Sequence, residues 1–189
     1  IGNRSFGESP QNVTHKSLMM INGMMSENII GVVKHFPGHG DTETDSHHDL
    51  PIIKKSYTQL HSTELVPFRE LAKHNVSGIM TAHLHIPSID SVANRASSLS
   101  PLVVNGILKD SLGYNGLIFT DGLDMRGVSK FFKAGDIELK ALEAGNDILL
   151  LPQNPVTSIK TIIAAIDSGI LDSNIINNAC KKVLNAKYT

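Results

Sequence analysis

Residue types able to do chemistry gather in a few places along the chain. The richest is the run Lys34-His35-Phe36-Pro37-Gly38-His39-Gly40-Asp41-Thr42, followed by Asp45-Ser46-His47. A carboxylate close to an imidazole fixes its tautomer and raises its basicity. That combination suits a general acid/base, and Asp45 with His47 fits it. The same pair fits a solvated loop whose Asp and His cap turns. Asp121 follows the apolar run Leu117-Ile118-Phe119-Thr120 and precedes Gly122. A carboxylate at the end of a buried strand is well placed as a nucleophile, and equally well placed to cap the next turn. Asp124, a little further on, reads as a cap. His83 and His85 alternate around Leu84, so on an extended chain they face the same way. With Asp121 and His35 they could hold a metal in a metal-dependent hydrolase. The plainer reading is one site-lining histidine and one loop histidine, since the set matches the usual ligand groups only loosely.

These residues need elements to position them. Ile29 to Val33 reads as a buried strand, with Lys34 and His35 leaving its end. Ser77–Ala82, Leu117–Thr120 and Asp147–Leu151 read as three more strands. Between them lie helical patterns: Ser62–His74, with Pro67 awkward inside it, a stretch capped by Ser100 and Pro101 and ending near Gly113, and Asp136–Ala144 closed by Gly145. Two helices finish the chain, at about 155–168 and 173–186. The strands are continuous apolar runs, which favours a parallel sheet covered on both sides. Strands separated by helices favour α/β units. The polar pairs Lys34-His35, Thr81-His83 and Thr120-Asp121 all fall at the C-terminal ends of strands, where the active sites of (β/α)8 barrels lie. Such a barrel closes with about eight strands, so the four strands read here imply half a barrel or an open sheet.

Composition excludes several classes. The chain has 189 residues, 41% of them hydrophobic and 19% charged, with a formal net charge of -1. That is the make-up of an ordinary globular domain, with no basic face for nucleic acid. No run approaches the ~20 apolar residues of a membrane span. The lone cysteine, Cys180, rules out an intrachain disulfide. It sits in an apolar-periodic stretch with Ile175, Ile176, Ala179, Val183 and Leu184, and reads as a small buried hydrophobe. Absence of disulfides suits the cytoplasm, while a periplasmic or exported location stays open.

The long run at residues 34–42, with Asp45-Ser46-His47 and Leu50-Pro51 after it, resembles the signature of family 3 glycoside hydrolases. It is most similar to the bacterial β-N-acetylglucosaminidase (β-N-acetylhexosaminidase) branch. Arg4-Ser5-Phe6-Gly7 upstream, then Met80-Thr81-Ala82-His83 and Ile118-Phe119-Thr120-Asp121, agree in order. The resemblance covers nearly the whole chain. It implies that Asp121 is the nucleophile of a retaining hydrolysis, that His47 is the acid/base with Asp45 as its partner, and that Arg4, Lys34, His35 and His83 hold the sugar. It implies an α/β fold, the C-terminal half of a (β/α)8 TIM-type barrel, as one domain over residues 1–189. The implied substrate is a terminal N-acetylglucosamine of peptidoglycan-derived or chitin-like oligosaccharides, with no metal and no organic cofactor. Retaining glycosidases usually use two carboxylates; here a histidine would replace one. A histidine repels an incoming anion less than a glutamate would, so phosphate is expected to compete with water as acceptor. The family barrel usually begins well before the Arg-Ser-Phe segment, and those earlier residues supply the first strands and a sugar-binding Asp. The chain alone is therefore expected to be inactive, needing the missing N-terminal half from a longer polypeptide or a partner chain. The alternatives are a sugar-binding fragment without catalysis and the metal-dependent hydrolase.

Overall fold

The computed structural model describes residues 4–40, 42 and 49–188. Four strands, β1 (Val32–Phe36), β2 (Gly78–Thr81), β3 (Leu117–Gly122) and β4 (Ile148–Leu150), form one sheet in the order β1-β2-β3-β4. All three pairings are parallel, as the apolar runs separated by helices predict. Register levels the strand ends: Phe36 lies opposite Thr81, and Thr81 opposite Thr120.

The helices are α1 (Pro10–Ser26), α2 (Tyr57–Ser62), α3 (Leu65–Lys73), α4 (Arg126–Ser129), α5 (Asp136–Ala144), α6 (Pro155–Asp167) and α7 (Ser173–Tyr188). A π-wound segment, Leu102–Ser111, connects to β3. Start and stop signals act as expected at several ends. Asn154 accepts a hydrogen bond from Thr157 N–H, with Pro155 in the first turn of α6. Gly145 closes α5 with φ of 108°, a conformation that favours glycine. Pro67 falls in the first turn of α3, where its missing N–H costs nothing; the helix read over 62–74 begins at Leu65, and a separate short helix, α2, ends just before it at Ser62.

The main core lies between the sheet and α1, α3 and the π-wound segment. Phe36, Leu71, Ile79, Val104, Leu108 and Ile118 are all fully buried in it. Burial of each such side chain contributes ~1.5–3 kcal/mol. Strand alternation sends Ile79, Thr81, Ile118 and Thr120 into this layer. Met80, Phe119 and Asp121 face the other way and are half-buried. Cover on both faces was expected, and dense cover is found on one. The second face packs mainly on itself: a Cβ on Gly78 would sit 2.9 Å from both the Phe119 ring and Val32 Cγ2.

Three readings need correction. Helix α1 was not read at all, although Ser9 accepts from Asn12 N–H and Pro10 opens the first turn. Strand β1 lies three residues later than its apolar run suggests. Ile29 and Ile30 are 53% and 44% exposed, and pairing with β2 starts at Val32. Cys180 is exposed. It sits one helical step from Ala179, which carries the buried stripe of α7, and a step of ~100° turns it outward.

Candidate active site

Lys34 and His35 lie inside β1, at its C-terminal end, and Asp121 lies at the C-terminal end of β3. Strand β2 separates them, so the carboxylate and the imidazole meet across one intervening strand. His35 Nε2 is 3.7 Å from Asp121 Oδ2, and their side chains are 10% and 20% exposed. Asp121 Oδ1 accepts a hydrogen bond from Gly122 N–H at 2.9 Å, which fixes the carboxylate against the turn. Its other oxygen faces His35.

Burial pushes the His35 imidazole down to about 4, opposed by the Asp121 carboxylate and reinforced by Lys34, His39 and Arg4. His35 is therefore neutral near pH 7 and leaves the Asp121 charge unneutralised. Arg4 and Lys34 are exposed and within electrostatic reach of His35. The structure thus brings Arg4, Lys34, His35 and Asp121 together. It adds His39, which the sequence reading did not single out. The His39 ring stands edge-on to His35 with centroids 5.9 Å apart, and its Nδ1 is 3.2 Å from Thr42 Oγ1. Asp45 and His47 lie outside the described residues.

A groove of about 360 Å³ opens beside Asp121, lined among others by Met125, Arg126 and Leu150. Asp124 is exposed in its wall, and α4 has no side-chain cap, so the cap read for Asp124 is not made. Further along this loop, Leu50 is buried against Leu123 and Val128. Asp49 pairs with Lys130 at 3.1 Å. The chain leaving the Asp45–His47 region is therefore docked on the segment that follows Asp121.

His83 was expected to touch the sugar. It is instead fully buried beneath the Asp121–Gly122 turn. Its Nε2 is 2.9 Å from Gly122 C=O and its Nδ1 is 2.7 Å from Ser98 Oγ. His85 turns elsewhere, with Nδ1 3.4 Å from the Arg95 carbonyl. Among the described residues no group of His, Cys, Asp and Glu gathers as a metal site. Ser98 and Asn146 carry no motif of their own, and only the fold reveals them as part of this site's foundation.

A half-buried carboxylate and a neutral imidazole at the C-terminal ends of β1 and β3, beside a groove, stand where the active sites of (β/α)8 barrels lie. The comparisons name the family. Residues 1–186 match the glycosyl hydrolase family 3 N-terminal domain, and the chain belongs to that family. It is 38% identical over 159 residues to β-hexosaminidase A of Pseudoalteromonas piscicida, covering 79% of this chain and 27% of the relative. It is 32% identical over 178 residues to the β-hexosaminidase of Nitrosomonas eutropha, covering 91% of this chain and 50% of the relative. The family 3 β-N-acetylglucosaminidase structure from Paenibacillus sp. str. FPU-7 superposes with a TM-score of 0.93 at 34% identity, covering 97% of this chain and 35% of that one. The chain thus spans half or less of the length of these relatives.

Proposed function

We propose that this chain carries the catalytic residues of a retaining exo-β-N-acetylhexosaminidase, and that it is the C-terminal half of a (β/α)8 barrel. The observation that carries the reading is the meeting of His35 and Asp121 at 3.7 Å beside an open groove, in a chain similar to proteins named β-hexosaminidase.

Asp121 Oδ2 attacks the anomeric carbon while the His47 imidazolium gives its proton to the leaving glycosidic oxygen. The C–O bond breaks and a glycosyl ester on Asp121 forms. Neutral His47 then takes a proton from water, whose oxygen attacks the same carbon and frees Asp121. Asp45 stabilises the imidazolium. Arg4, Lys34 and His35 hold the sugar hydroxyls. His35, being neutral, does so without quenching the nucleophile's charge. The substrate is a terminal β-linked N-acetylglucosamine of a peptidoglycan-derived or chitin-like oligosaccharide, processed in the cytoplasm. The remaining barrel strands come from a longer polypeptide or a partner chain, and the 189-residue chain alone is inactive.

The test is hydrolysis of an aryl β-N-acetylglucosaminide by the full-length protein, by this chain alone and by the Asp121→Ala variant. Turnover by the full-length protein that falls at least ~10³-fold in the variant is the expected result. Equal turnover with Ala at position 121 overturns the mechanism. Activity of the 189-residue chain alone overturns the half-barrel reading.

A further inference from the structure

We propose that His83 is a positioning residue for Asp121, acting through Gly122, with its ring held from behind by Ser98. The proposal rests on the reading of Asp121 as nucleophile and goes beyond it.

The Gly122 carbonyl fixes one ring proton. A carbonyl oxygen only accepts, so the contact between His83 Nε2 and Gly122 C=O at 2.9 Å requires the hydrogen on Nε2. In the neutral ring Nδ1 is then an acceptor, and Ser98 Oγ–H donates to it at 2.7 Å. Gly122 is held at both ends: its C=O by His83, its N–H by Asp121 Oδ1. The glycine couples a buried imidazole to the carboxylate that would attack the sugar.

Ser98 is in turn over-determined. The short turn Ser97–Leu99 is laced to the segment after β2. Ser98 N–H donates to Ala82 C=O at 3.1 Å and Ser97 Oγ–H to the same carbonyl at 2.6 Å. Asn146 Nδ2 donates to Ser98 C=O at 2.8 Å and to Ala141 C=O at 2.7 Å. Asn146 Oδ1 accepts from Thr81 Oγ–H at 2.9 Å. His83, Ser98 and Thr81 have no exposed surface and Asn146 has 1%. Buried polar groups this completely paired hold one geometry. Such a foundation serves a nucleophile, because misplacement of a reacting atom by ~1 Å can cost ~100-fold in rate. It serves a sugar contact poorly, because the ring is sealed beneath the turn.

The experiment compares His83→Gln, His83→Asn and Ser98→Ala in the full-length protein, with Asp121→Ala as control. A glutamine amide reaches the place of Nε2 and can donate to Gly122 C=O. An asparagine amide reaches only the place of Nδ1. The expected result is kcat within ~5-fold of wild type for His83→Gln and a ~10–100-fold fall for His83→Asn, with KM within ~2-fold in both. Ser98→Ala should fall several-fold in kcat. Melting temperatures of the two His83 variants should agree. Equal kcat for Gln and Asn, or a loss confined to KM, overturns the proposal. The reading of the nucleophile survives that outcome as long as Asp121→Ala is dead, so the two failures are distinguishable. Nitrogen-15 NMR of the wild-type protein gives a second arm that needs no turnover. His83 should carry its proton on Nε2, and a proton on Nδ1 alone overturns the proposal.

Discussion

Replacing His35 by glutamine should flatten the acid limb of the protein's stability curve. In the folded state the imidazole stays neutral down to about pH 4, chiefly because it is buried. Unfolded, it titrates near its ordinary value of 6.5. Between these values the unfolded state binds more protons, so stability rises with pH through the window. Equivalently, the contribution is lost as pH falls from about 6.5 and levels off below about 4. At pH 5 the unfolded ring is almost wholly protonated while the folded ring is about nine-tenths neutral, a difference of about 2 kcal/mol. The side chain is only 10% exposed, so solvent screening takes little from this figure. The assay is urea unfolding of wild type and His35→Gln from pH 7.5 to pH 5. With a urea dependence of ~2 kcal/mol/M, the wild-type midpoint should fall by about 1 M more than the variant's over that range. Glutamine alters stability at every pH, so only the difference in slope is compared. Equal slopes would refute the reasoning: His35 would then protonate in the fold, and would neutralise Asp121 in the weakly acidic range where this reading keeps the nucleophile charged.

Other expectations follow from close contacts and buried pairs. Gly78→Ala should cost ~1–3 kcal/mol, read by urea unfolding, because its Cβ would meet Phe119 and Val32 at 2.9 Å. Asn146→Ala should cost ~1–3 kcal/mol, since it strips the buried Ser98 C=O of its amide donor, while Thr81 Oγ keeps Phe119 C=O and Ala141 C=O keeps the backbone N–H of residue 146. If His47 is the acid/base, added phosphate should divert part of the product to a glycosyl phosphate. Mass analysis that finds only free N-acetylglucosamine at high phosphate removes that expectation.

The sheet was legible because parallel strands buried on their helical side open on apolar runs, as at Gly78–Met80 in β2, Leu117–Phe119 in β3 and Ile148–Leu150 in β4. β1 was misplaced for the same reason in reverse. Its functional end, Lys34-His35, is polar, so an apolar criterion stops at Val33 while the pairing runs on to Phe36. α1 was illegible by pattern, as it buries only Ile21 and leaves Met19 and Met20 62% and 56% exposed. Its Ser9-Pro10 start was nevertheless the same signal as Ser100-Pro101. At the site, Asp121, His35 and Lys34 stood out by residue type and strand-end position. Ser98 and Asn146 did not, because a serine in a short turn and an asparagine before a strand are ordinary turn residues. Their role arises only when the sheet stacks His83 between Ser98 and Gly122.

This division has a physical cause. Groups that touch substrate must be chemically unusual for their place, and a histidine or carboxylate at the end of an apolar strand announces itself. Groups that hold them need only be able to donate or accept at one point, and many residue types meet that need. What selects Ser98 is its distance to His83 Nδ1, 2.7 Å, across 15 residues of chain. What selects Asn146 is its ability to serve Thr81, Ser98 and Ala141 at once. Both are properties of the packed state. The parallel register produces them by setting Thr81 level with Thr120. The segment after β2, with His83, then lies directly under the turn that follows β3, where Asp121 and Gly122 are.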